Sequence, residues 1–174
     1  MTGSRIAAFS LLAWCLAVWA GPELSAGLHA TASVANSAGH VPYADTRTFA
    51  GLAYAADVLS NLPFAIMGLI GAIALARRQA DMAGRLPRPV AWGAGVFFAG
   101  LLFTAMGSAW YHLAPDTTRL VWDRLGMGVG FAGMLTLVAQ RWAGPQAGWP
   151  VLATALPLAL VSAVLPHTHG NVVP

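Results

Sequence analysis

Apolar runs broken by short polar stretches set the pattern of this chain. After Arg5 comes an apolar run from Ile6 to Ala17, closed by Gly21-Pro22. Further runs cover Val58–Ala76, Val90–Tyr111 and Trp149–Pro166. Each of these three approaches the roughly 20 residues needed to cross a bilayer as a helix. A fourth run, Leu125–Ala139, is uncharged but short, so its helix is expected to start near Leu120, with Asp123 and Arg124 in its first turns. The pattern predicts an all-α fold: a polytopic transmembrane helix bundle with an N-terminal segment and four core helices. Residues 1–20 read as a signal peptide or an uncleaved signal anchor. Residues 21–57, rich in Ala, Gly, Ser and His, read as an extracytoplasmic loop, and 58–174 as the transmembrane domain. Gly68 and Gly71 on the first core span, and Gly126, Gly130 and Gly133 on the third, offer small surfaces for close helix packing.

Composition agrees. The chain is 57% hydrophobic and 9% charged, with mean hydropathy +0.65, whereas soluble domains carry about 25% charged residues. The net charge is +3 and every basic residue is an arginine. The arginines are scattered between apolar runs, a pattern that sets topology rather than one that grips nucleic acid. Cys15 is the single cysteine, which excludes an internal disulfide and a cysteine metal cluster.

Arg5, the cluster Arg77, Arg78, Arg85 and Arg88, and Arg141 mark cytoplasmic regions by the positive-inside rule. Residues 21–57, 112–119 and the C-terminus then lie outside. His29, His40, His112, His167 and His169 all fall on that side, with Asp45, Asp57, Asp116 and Asp123. Any site chemistry is therefore expected near the outer, periplasmic face of a bacterial inner membrane.

The stretch Gly107–Met127 concentrates that chemistry. Ser108 and His112 are four residues apart and share one helix face. The short Leu113–Thr118 connection makes the next helix antiparallel, which brings Asp123 to the same depth. Ionisable groups at membrane depth are costly and usually mark a site. Two chemistries fit the spacing: a zinc ligand, a proton carrier and an oxyanion donor, or a serine nucleophile with its base and orienter. An interfacial anchor beside a helix cap fits it as well.

Three pieces in order resemble the alkaline ceramidase family. This family belongs to the seven-helix membrane hydrolases, a superfamily that also holds the progestin/adiponectin-type receptors. The pieces are Asp57-Val-Leu-Ser-Asn-Leu-Pro-Phe64, Ser108-x-x-x-His112, and Asp123 eleven residues later. Asp45-Thr-Arg-Thr-Phe-Ala-Gly51 is similar to the bacterial members. The resemblance runs from about Tyr43 to about Arg141 and implies a zinc-dependent amide hydrolase acting on ceramide-like lipid N-acyl amides. In its terms His112 is a metal ligand, Asp123 transfers protons and Ser108 steadies the oxyanion. The partners implied are the lipid bilayer and a lipid amide substrate. The alternative is a non-catalytic membrane receptor or interaction protein on the same scaffold.

The family's last helix carries a His-x-x-x-His pair that completes the zinc site, and this chain has none. His167 and His169 are further candidate ligands, as is Asp57. The family's animal-type calcium site does not carry over, since only Asp45 and Asp57 are locally available. The sequence therefore reads as C-terminally truncated relative to seven helices, with weak zinc binding and little activity expected of these 174 residues.

Overall fold

The computed structural model describes residues 47–168 and parts of segment 4–20. Most of the predicted 21–57 loop, with His29, His40 and Asp45, lies outside the described residues, and so does His169. Among the described residues all regular structure is helical. The elements are a one-turn helix α1 (Ala55–Leu59), then α2 (Leu62–Ala80), α3 (Arg88–Leu113) and α4 (Thr117–Ala143). A 3₁₀ turn, Pro145–Ala147, leads into α5 (Gly148–Thr168).

Local chemistry sets the breaks. Pro63 sits in the first turn of α2, where its missing N–H costs nothing, but its ring opposes a helix running in from Leu59. Helix α2 therefore begins at Leu62, after a break that separates it from α1. The exposed α1 carbonyls find partners in the next two side chains: Ser60 Oγ donates to Asp57 O at 2.7 Å, and Asn61 Nδ2 to the same oxygen at 3.0 Å. Between α3 and α4, Pro115 holds Ala114 in an extended conformation. Asp116 then caps α4 by accepting from Arg119 N at 2.8 Å. A cap of this kind is worth about 1 kcal/mol.

Among the described residues three spans are long and apolar enough to cross a membrane: Ala55–Ala80, Arg88–Leu113 and Pro145–Val164. The remaining long helix, α4, has 27 residues but is interrupted by Arg119, Asp123, Arg124, Gln140 and Arg141. It is nonetheless the centre of the bundle. It packs most extensively on α3 and next on α5, while α3 also carries α2 and α1. Near its last turn, Ala139 joins Ala7 and Val151 in a small buried cluster.

The contact between α3 and α4 is nearly backbone to backbone. Gly100 lies against the backbone of Gly130, Gly126 against Thr104, and Gly133 against Phe97. At one end Gly93 meets Thr136, and at the other Gly107 meets Trp122 and Asp123. This antiparallel ladder uses glycines seven apart on both helices, at 93, 100 and 107 and at 126 and 133. On α2, Gly68 receives Leu102 and Gly71 receives Phe98, so the expected small-residue surfaces are packing surfaces. A polar lock closes the opposite end of the seam. Buried Gln140 donates from Nε2 to Pro89 O at 2.8 Å, and its amide also lies against Gly148.

The seam predicts an asymmetric response within one glycine pair. A Cβ on Gly100 would collide with Gly130 backbone, whereas a Cβ on Gly130 would come no closer than 3.7 Å to Gly100. Thermal unfolding in detergent should show Gly100→Ala costing about 1–3 kcal/mol through overpacking. Gly130→Ala should be neutral or gain up to about 1 kcal/mol from helix propensity.

Candidate functional site

Asp116 starts α4 one turn earlier than Leu120, the start expected from the sequence. Asp123 is therefore not in the first turn; it lies six residues inside the helix, about 9 Å from its end. Ser108 lies five residues before the end of α3, about 8 Å deep. The two come to one level because Gly107 lets the chains touch: a Cβ there would stand 2.5 Å from Trp122 O and 3.2 Å from Asp123 N.

Asp123 occupies the seam itself, in line with Gly126, Gly130 and Gly133. Both it and Ser108 are only 8% exposed. The Oδ1 atom of Asp123 is buried without a hydrogen-bond partner. A buried acceptor left this way costs about 1–3 kcal/mol, and burying a carboxylate costs more still. His112 is half-buried one turn beyond Ser108, its ring 5.2 Å from that of Tyr111.

Two features around the trio were missed by sequence reasoning. Asn61 is buried. Seven residues back from the Gly68–Leu102 contact on α2, and seven forward on α3, Asn61 comes level with Ala109. The second is an aromatic wall. Trp122 meets Phe103 edge-on with ring centroids 6.0 Å apart and Trp110 at a tilt with centroids 6.2 Å apart, and the Arg119 guanidinium stands 5.2 Å over the Trp110 ring. Arg119 is fixed by Asp116 Oδ2, 3.2 Å from its Nε. The residues of this wall, Trp110, Arg119 and Trp122, are visible in the sequence, but their convergence depends on the α3–α4 register.

Asp57 lies in α1, which packs on α3, and is half-buried. Its carbonyl serves Ser60 and Asn61. Residue 167 lies in the last turn of α5. Gly128 of α4 meets Ala159 of α5, and eight residues on, antiparallel, the backbone of 167 comes level with the start of α4. Among the described residues no three His, Cys, Asp or Glu side chains come together as a metal-binding group. A catalytic zinc normally takes three protein ligands, so the described donors do not by themselves build a zinc centre.

The chain matches no protein-family model, no curated protein and no solved structure.

A carboxylate kept for function at an energetic cost has a testable signature. Asp123→Asn should leave thermal stability unchanged or raise it by about 1 kcal/mol, because it removes a buried charge with an unpartnered oxygen. A loss of more than about 1 kcal/mol in detergent unfolding would instead make the carboxylate structural.

Proposed function

We propose that this protein is a multi-pass membrane protein carrying part of an amide-hydrolase site of the alkaline ceramidase type, with a ceramide-like lipid amide as substrate. The observation that carries the reading is Asp123, a buried carboxylate in the glycine seam beside Ser108 and near His112. In this reading α4 crosses the membrane with its neighbours. Support comes from exposed tryptophans near both ends of two helices. Trp92 and Trp110 are 18 residues apart on α3, about 27 Å, and Trp122 and Trp142 are 20 apart on α4, about 30 Å. A bilayer core is about 30 Å thick, with tryptophan favoured at both boundaries. The arginines of the α2–α3 loop then face the cytoplasm, and the site faces the periplasm.

Amide hydrolysis needs an activated water, a donor for the developing oxyanion and a proton for the leaving amine. In this reading Asp123 accepts the water's proton and returns it to the amine, which suits a carboxylate with a free oxygen. Ser108, one turn below His112, donates its hydroxyl hydrogen to the oxyanion. The level of the trio, less than 10 Å or so below the helix ends, lets acyl chains stay in lipid while the amide reaches the carboxylate. Zinc is the cofactor this reading names, and His112 is the one ligand it draws from the described residues. Residues 167 and 169 are the further candidates.

The test is hydrolysis of a fluorescent ceramide by purified protein in vesicles, with zinc supplied and then chelated. Slow, zinc-dependent release of fatty acid is expected, falling by about 10²-fold or more in Asp123→Asn and His112→Ala. Ceramide binding without turnover at any zinc concentration would contradict the hydrolase and support the receptor alternative.

A further inference from the structure

On the far side of the bundle from Asp123, α2 and α3 separate. They touch tightly at Gly68–Leu102 and Gly71–Phe98, but a Cβ on Gly95 would come no closer than 3.8 Å to Leu75. The gap is an apolar groove of about 350 Å³, lined by Leu75 and Gln79 of α2 and by Ala91, Trp92, Gly95 and Ala99 of α3. Ala91, Gly95 and Ala99 are four apart and hollow one face of α3. From Arg88 to Ala99 the helix rises about 17 Å, close to one leaflet of a bilayer core roughly 30 Å thick.

The mouth of the groove is basic. Arg77, Arg78, Arg85 and Arg88 are all exposed at this end of α2 and α3, and Arg85 is tied to Gln79 of the groove wall. Gln79 folds the loop back over the groove: its Oε1 accepts from Leu86 N at 3.0 Å, and its carbonyl accepts from Arg85 Nε at 3.0 Å. The loop's acid, Asp81, is turned to Ala83 N at 3.0 Å.

We infer that this groove binds an anionic phospholipid of the cytoplasmic leaflet. One acyl chain lies along Ala91, Gly95 and Ala99, and the phosphate sits among Arg85, Arg88 and their neighbours. Charge complementarity selects the occupant, since the groove alone would accept any acyl chain. The inference rests on the topology proposed above and not on the hydrolase chemistry.

The experiment is thermal unfolding of the detergent-purified protein titrated with phosphatidylglycerol, phosphatidylcholine or glycerol phosphate. Only phosphatidylglycerol should raise Tm saturably. Gly95→Leu, or Ala99→Leu as a second filling variant, should abolish that rise with charge unchanged. Each of Arg85→Gln and Arg88→Gln should weaken binding about fivefold, the worth of one basic residue at an anionic surface. Arg141→Gln should match the parent. Equal stabilisation by phosphatidylcholine, a response to glycerol phosphate, an undiminished response in both filling variants, or a dimer that those variants dissociate would overturn the lipid site. Topology is read separately by labelling Ala83→Cys in a Cys15→Ser background. Labelling from the periplasmic side would sink the topology, whereas cytoplasmic labelling with no lipid response sinks the lipid site alone.

Discussion

How closely α3 and α4 approach determines what stands at the polar end of this protein. Glycines spaced by seven bring the two backbones together at Gly100–Gly130 and hold the ladder from Gly93 to Gly107. In lipid such contact replaces the hydrophobic drive available in water, since tails are as apolar as leucine. It also fixes register. A slip of one residue would place side chains where Gly107 and Gly126 now admit backbone. Gln140 reinforces that register at the opposite end by tying the last turn of α4 to Pro89.

The seam explains how α4 keeps a central place with five charged or amide side chains along its length. Arg119 is held by Asp116 and the Trp110 ring, and Gln140 by Pro89. Asp123 is buried in the ladder itself, and its Oδ1 has no hydrogen-bond partner, as is true of Gln140 Oε1. Gln140, however, ties α4 to α3 through its Nε2, and Asp123 makes no such tie among the described residues. Helix packing has no need of a carboxylate at that position, where glycine or threonine serves elsewhere along the seam. That contrast is the physical reason to read Asp123 functionally, and the resemblance to alkaline ceramidases supplies a chemistry for it.

The helices were legible because apolar runs of membrane length leave little choice of fold. All-helical structure and the α2, α3 and α5 spans appear within a few residues of their sequence limits. The start of α4 was misjudged because hydropathy points to Leu120, whereas the cap is made by Asp116 and its neighbour Pro115. Ser108, His112 and Asp123 stood out because charge and polarity are rare in such a chain. Gly107 did not stand out, since a single glycine carries no sign of what will press against it. Nor did Asn61, whose burial depends on how α1 folds onto α3. Among the described residues no metal-binding group comes together, and spacing along one chain does not identify donors that tertiary structure would have to gather.

The central claim is that the buried Asp123 carboxylate faces a lipid amide. A ceramide carrying a photoactivatable diazirine beside its amide tests this when its crosslinks to the protein are mapped by mass spectrometry. Crosslinks at and around Asp123 and Ser108 that unlabelled ceramide suppresses are predicted. Crosslinks that avoid both positions, or that unlabelled ceramide does not suppress, would contradict it.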